Sequence, residues 1–267
     1  MALLDGKVLI TGATGGIGRA IAEAFAARGA TIVLSGRRTD LLDGLAGALG
    51  ARSLPCDLAE RSEVARLVAE AGEIDVLVAN AALPGTGELT ELSQSQIDQM
   101  LEVNLRSPIA LARALLPAMI ERRHGHLVFI SSLNGRVASP QSSIYAATKF
   151  GLRGFALGLR QDLRQHGVGV SLVAPGFISD AGMFAESEVK LPPGVGTRTP
   201  EQVAAAVLRA VERNRAEVDV APLGLRVGAR VAGVAPELAA TVQRIGGGDR
   251  IAEDLASGQR KKLPGEG

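Results

Sequence analysis

The chain has 267 residues, 46% of them hydrophobic, with 33 glycines and a formal net charge of +1. That length suits one domain around a single large core, and the near-neutral charge argues against a nucleic-acid partner, which needs a concentrated basic surface. A lone cysteine, Cys56, cannot form an internal disulfide and reads as a small buried apolar residue, as fits a reducing, cytoplasmic compartment.

The start, Met1-Ala2-Leu3-Leu4-Asp5-Gly6, lacks the basic and long apolar regions of a secretory signal. No apolar stretch approaches the roughly 20 residues of a membrane span. Val8–Thr11 reads as a first strand, followed at once by Gly12-Ala13-Thr14-Gly15-Gly16-Ile17-Gly18 and a helical pattern in which Ile17, Ile21 and Phe25 share a face. A glycine turn between strand and helix lets backbone N–H groups approach a pyrophosphate, to which the helix start adds partial positive charge. The second strand, Thr31–Ser35, ends in Gly36-Arg37-Arg38 with no acidic residue. A carboxylate there would bind the ribose of NAD(H) and repel a 2′-phosphate, whereas guanidinium groups bind that phosphate, so Arg37 and Arg38 point to NADP(H) over NAD(H).

Arg52–Cys56 and Val76–Asn80 are the third and fourth strands, ending in Asp57-Leu58 and in Asn80-Ala81-Ala82. Between them Val64, Leu67 and Val68 mark a helix. Ser93, followed three residues later by Gln96, forms a capping box that opens the longest helix. Asn104 lies inside that helix, four residues before Pro108, whose missing N–H deprives the Asn104 carbonyl of its helical partner. His126–Ser131 is the fifth strand, and Ser131-Ser132 brings hydroxyls to its carboxyl end, where open α/β sheets build their sites. Tyr145, the chain's only tyrosine, and Lys149 lie four apart on the next helix, hence on one face. A free tyrosine titrates near 10, and burial alone would raise it, so work near neutrality needs a neighbouring positive charge such as Lys149.

The sixth strand, Val168–Ala174, runs into Pro175-Gly176-Phe177-Ile178-Ser179-Asp180. Residues 180 to 200 then form a Gly/Pro-rich loop of the kind that covers α/β sites. After the seventh strand, Glu217–Val220, the tail is helical in spacing: Val227, Val231, Val234, Leu238, Val242 and Ile245 recur every three or four residues beside Arg226, Arg230 and Arg244. Pro236 and Gly246-Gly247-Gly248 break it, and the end after Arg260 reads as frayed. A helix pair packed on the domain or across a dimer explains it best; a basic amphipathic helix on a membrane surface is the alternative. His124, His126 and His166 have no further ligands at metal spacing, so no metal is expected.

In order, the glycine turn, the Asn-Ala turn, Asn104, the Ser-Ser strand end, Tyr145-x-x-x-Lys149 and Pro175-Gly176 resemble the short-chain dehydrogenase/reductase family. The resemblance runs over roughly residues 7 to 180 and starts from its T-G-x-x-x-G-x-G pattern (Gly12, Gly16 and Gly18). It implies a doubly wound Rossmann-type α/β fold: a seven-stranded parallel sheet with helices on both faces over residues 1–222, and a C-terminal helical extension over 223–267. It further implies Tyr145 as general acid/base, Ser132 rather than Ser131 as the hydroxyl holding the carbonyl oxygen, Lys149 on the nicotinamide ribose, and the Asn104 carbonyl holding a proton-relaying water. By the same resemblance Gly12, Thr14, Gly15, Gly16, Ile17, Arg37, Arg38, Asp57, Leu58, Asn80, Ala81, Ala82, Pro175, Gly176 and Ile178 hold the cofactor, with Ala82 where glycine is commoner and Asp180 where threonine is. Leu133, Asn134, Val137, Phe177, Met183 and Phe184, with Leu191 above, are the substrate candidates. Their character suits a hydrophobic carbonyl or alcohol, turned over by a homodimer or homotetramer. A catalytically idle NADP(H) sensor on the same fold is the other reading, but it need not keep Asn104, Ser132, Tyr145 and Lys149 together.

Overall fold

The computed structural model describes residues 3–85, 87–180, 196–235 and 237. The strands are β1 (Lys7–Thr11), β2 (Thr31–Ser35), β3 (Arg52–Ser53), β4 (Val76–Ala79), β5 (Gly125–Ile130), β6 (Val168–Pro175) and β7 (Glu217–Val220). They form one sheet in the order β3-β2-β1-β4-β5-β6-β7, and every pairing is parallel. Helices α1 (Gly16–Ala26), α2 (Thr39–Leu49) and α3 (Arg61–Ala71) alternate with the first strands. The later helices are α4 (Gln94–Leu101), α5 (Ser107–Glu121), α6 (Ser143–Asp162), α7 (Pro200–Glu212) and α8 (Leu223–Val234).

The pleat explains why the strands are apolar throughout. Val8 and Ile10, Ile32 and Leu34, and Val76 and Val78 enter one core with residues of α1, α2 and α7. Their neighbours Leu9, Val33 and Leu77 enter a second core with residues of α3, α5 and α6. A strand covered on both faces has no side that tolerates alternation with polar residues. Because the chain winds outward from β1 to β3 and then returns to β4, the connections after β1 and β4 leave in opposite directions and open a crevice at their carboxyl ends.

Three local readings change. The third strand pairs only over Arg52–Ser53, although the Leu54 and Cys56 N–H groups still donate to Leu34 O and Gly36 O at 2.8 and 3.1 Å. Pro55 between them has no N–H to continue the ladder. The Ser93–Gln96 capping box is present, but the α-helix it opens is 8 residues long, and the longest among the described residues is α6 with 20. Residues Glu102–Arg106 form a π-helical segment before α5, in which Ser107 N–H bonds the Glu102 carbonyl. A wider turn directly before Pro108 accommodates a residue that cannot donate.

The tail also packs differently from its periodicity. On α8 it is Ala229 and Ala232 that are buried, while Leu223, Val227, Val231 and Val234 are exposed. Small residues let the helix approach Leu133 and Ala221 closely, so the face chosen by periodicity is not the one that packs. Leu238, Val242 and Ile245 lie outside the described residues. Among the described residues no helix is long and apolar enough to cross a membrane.

Candidate active site

At the end of β1 the chain turns through Gly12, whose φ of +64° favours glycine and whose added Cβ would lie 2.7 Å from Ala81 Cα. Gly15 caps α1 without a side-chain hydrogen bond, and the first turn carries no acidic residue. The helix start is therefore left to an external anion. Asn80 braces this turn: its Nδ2 donates to both Thr11 O and Gly12 O at 3.1 Å. The buried Thr11 hydroxyl in turn accepts from Asn80 N–H and Ala81 N–H at 3.1 and 3.2 Å. The candidate list omitted Thr11; the signal was the threonine that opens the glycine motif.

Arg37 is exposed beyond β2. Arg38 folds back, its Nη2 donating to Thr14 O at 2.7 Å and Thr14 Oγ1 at 3.1 Å. Across the same edge, Asp57 Oδ1 accepts from Ala59 N–H at 3.0 Å, and the Leu58 carbonyl accepts from the buried Ser107 hydroxyl at 2.6 Å. Glycine turn, basic pair and acidic loop thus follow the carboxyl ends of the neighbouring strands β1, β2 and β3.

The other end of the crevice joins the Ser132 turn to α6. Ser131 points inward, its hydroxyl on Lys149 O at 3.3 Å. Ser132 Oγ accepts from Asn134 N–H at 3.1 Å, and its hydroxyl lies by the Tyr145 phenol and lowers the phenol's pKa. One helical turn later Lys149 is 2% exposed. Its Nζ donates to Ile130 O at 3.1 Å and stands 5.5 Å from the Tyr145 ring centroid. Burial pushes the phenol up to about 12, partly offset by the neighbouring Ser132 hydroxyl. Burial pushes the Lys149 ammonium down, to about 8. A protonated phenol beside a serine hydroxyl can orient a carbonyl oxygen and deliver a proton to it.

Asn104 is 0% exposed. Its Oδ1 accepts from Leu83 N–H at 2.7 Å and its Nδ2 donates to Leu83 O at 2.9 Å. The side chain thus clamps the loop after β4 rather than reaching Lys149.

The sequence comparison decides the family. The model of the short chain dehydrogenase family matches residues 6–191. The chain belongs to the short-chain dehydrogenase/reductase family. It is 37% identical over 230 residues to the ketoacyl reductase HetN of Nostoc sp., covering 82% of this chain and 80% of that one. With the dehydrogenase/reductase SDR family member 7B of Bos taurus it shares 35% over 239 residues, or 80% and 73% of the two chains. A short-chain dehydrogenase from Sphingobium yanoikuyae, solved in complex with NADPH, superposes with a TM-score of 0.76 at 28% identity and covers 87% of this chain and 94% of its own. The protein is an oxidoreductase of this family with its Rossmann-type fold.

Leu133 is buried in a small cluster with Ala221 and Ala229, and Val137 packs against it. Asn134 Nδ2 donates to Ser142 Oγ at 3.3 Å. Ile178 is buried in the first core and pairs with Arg198 across a single bridge. Gly176 N–H donates to Val220 O at 3.0 Å, which fixes the turn after Pro175 against β7. Phe177 lies half-buried beside it, while Met183, Phe184 and Leu191 lie outside the described residues. Among the described residues no group of three or more His, Cys, Asp or Glu could hold a metal.

Proposed function

We propose that this oxidoreductase uses NADP(H) to interconvert a hydrophobic ketone or aldehyde and its alcohol, with Tyr145 handling the proton. The observation that carries the proposal is the Tyr145 phenol held over buried Lys149, with Nζ 5.5 Å from the ring centroid, beside the Ser132 turn at the carboxyl edge of the sheet. The ketoacyl reductase relative and the NADPH-bound structural neighbour support carbonyl chemistry with the phosphorylated nucleotide.

Gly12, Thr14, Gly15, Gly16 and Ile17 would hold the pyrophosphate, and Arg37 and Arg38 the 2′-phosphate. Asp57 and Leu58 would hold the adenine, Asn80, Ala81 and Ala82 the middle of the cofactor, and Pro175, Gly176 and Ile178 its nicotinamide end. When bound, the cofactor supplies or accepts the hydride. Ser132 orients the carbonyl oxygen and the Tyr145 hydroxyl gives up its proton to it. The phenol, pushed up to about 12 by burial, carries its proton at neutral pH. Charge on Lys149, 5.5 Å from the ring, stabilises the phenolate that remains. The Asn104 carbonyl, which Pro108 cannot satisfy in the α register, is assigned to the proton path to Lys149.

Fluorescence titration with NADPH and with NADH tests the cofactor without knowledge of the substrate. Tighter NADPH binding that is lost in Arg37→Asp is expected; equal or tighter NADH binding would reject the NADP(H) assignment. A carbonyl panel followed by NADPH consumption then tests catalysis. Tyr145→Phe should lower the rate by about 10²-fold or more, and an unchanged rate would reject Tyr145 as the acid.

A further inference from the structure

Strand β7 reads Glu217-Val218-Asp219-Val220, so its two acidic residues share one face at the edge of the sheet. Three arginines from different elements converge on them. Arg136 straddles both carboxylates: Nε and Nη2 reach Asp219 Oδ1 at 3.0 and 2.9 Å, while Nη1 and Nη2 reach Glu217 Oε2 and Oε1 at 3.3 and 3.1 Å. Arg153 grips Glu217 with two bonds, 2.6 Å from Nε and 3.2 Å from Nη2. Arg230 of α8 reaches Asp219 Oδ2 at 3.2 Å. The Asp219 side chain is 1% exposed and that of Arg136 10%.

The positions of these arginines are informative. Arg136 closes the short turn that Ser132 opens, and that turn is stiff. Gly135 N–H bonds Ser132 O at 2.9 Å and Arg136 N–H bonds Leu133 O at 2.8 Å. The turn also rests on the catalytic helix, since a Cβ on Gly135 would lie 2.8 Å from Lys149 O. Arg153 stands one helical turn beyond Lys149 on that same helix. The two carboxylates of β7 therefore hold both partners of the Ser132–Tyr145 pair, the turn from one side and the helix from the other. Buried ion pairs add little net stability over a well-packed apolar alternative. Planar guanidinium forks are, however, well suited to fixing orientation.

We propose that the Arg136–Glu217–Asp219–Arg153–Arg230 network is a positioning device that sets the Ser132 hydroxyl against the Tyr145 phenol and couples helix α8 to the active site. Arg136 and Asp219 are positioning residues that touch neither substrate nor cofactor. The assignment rests on the proposed role of Ser132 and Tyr145 as the proton-handling pair. Misplacing such a pair by about 1 Å is enough to cost up to about 10²-fold in rate.

Tyr145 is the only tyrosine, so an isotopic label at tyrosine Cζ gives one NMR signal for the full-length protein, and that signal reports the hydrogen bond of its hydroxyl. Ser132→Ala marks where the signal lies when the Ser132 hydroxyl no longer faces the phenol. Asp219→Asn and Arg136→Met should move the signal towards that position and lower kcat about tenfold or more, with the NADPH Kd within about twofold of the parent. Arg136→Lys, which keeps the charge but not the fork, should restore only part of both effects.

A signal unmoved in Asp219→Asn and Arg136→Met would overturn the proposal. If both variants fail to fold, as judged by loss of NADPH binding, Arg230→Ala decides the matter, because that side chain is 63% exposed. A smaller shift in the same direction supports the coupling, and no shift overturns it. The NMR reading needs no turnover. An inactive parent protein would count against the proposed function alone, while the Tyr145 signal still judges the network.

Discussion

Burial moves Tyr145 and Lys149 in opposite directions because it penalises the charged form of each: the phenol holds its proton to about 12, and the ammonium releases its proton at about 8. For Lys149 the folded-state pKa lies below its ordinary 10.5, so between those values the unfolded chain binds more protons and stability rises with pH. At about pH 7 the charging cost is present in full, on the order of 3 kcal/mol. Lys149→Met should therefore be the more stable protein near neutrality, less about 1 kcal/mol for the lost bond to Ile130 O. Its advantage should fade between about pH 8 and about pH 10.5, while turnover falls by about 10²-fold or more. Urea denaturation at the two ends of that window measures the difference; equal pH dependence in the two proteins would contradict it. Asn104 works through uncharged bonds. Asn104→Ala leaves the N–H and C=O of Leu83 without their partners, which should cost about 2 kcal/mol in a denaturant titration. Asn104→Asp, keeping only the acceptor, should fall between that variant and the parent.

Among the elements, β5 and β6 carry a titratable group inside the sheet. His126 is buried, shares a 2.8 Å hydrogen bond between Nε2 and the Ser171 hydroxyl, and is pushed down to about 4 by burial and by Arg160. The unfolded chain takes up this proton near 6.5 and the folded chain only near 4, so stability is complete above about pH 6.5 and drains away as pH falls towards 4. Its size is on the order of 3 kcal/mol. Stability measured across that range should fall with a slope of about one proton, and His126→Gln should remove the slope. The sequence places His126 at the amino end of the fifth strand. Only the pairing of Gly125–Ile130 between β4 and β6 makes it interior. The π-helical segment is a similar case: Pro108 shows that a helical bond must fail, but only the folded chain shows the register widening so that Ser107 N–H reaches Glu102 O.

For the molecule as a whole, the crevice is assembled from loops far apart in the chain, so a ligand that fills it must stabilise the entire fold by mass action. NADPH at about 100 times its Kd should add about 2.7 kcal/mol, which for a chain of this size is a rise of about 5–10 °C in Tm. NADH at the same concentration should give a smaller rise. A melting temperature indifferent to both nucleotides would remove the cofactor site altogether. The sheet order makes this coupling direct, because Thr11 of β1 bonds Asn80 and Ala81 beyond β4, and that joint is the floor of the crevice.

The amino-acid sequence by itself determined the seven strands to within a few residues, the helices between them, the glycine turn and the Ser132, Tyr145 and Lys149 positions. Such signals are local: double-sided apolar runs, helical spacing, and motifs whose residues lie a few positions apart. Tertiary structure alone decided which face of α8 packs, that Leu133 is covered rather than open, and that Arg136, Arg153 and Arg230 share Glu217 and Asp219. Arg136 and Asp219 are 83 residues apart, and no periodicity announces a charge pair at that separation. A short-range pattern is written by the geometry of one strand or helix, whereas a long-range pair exists only after the sheet has brought its strands together.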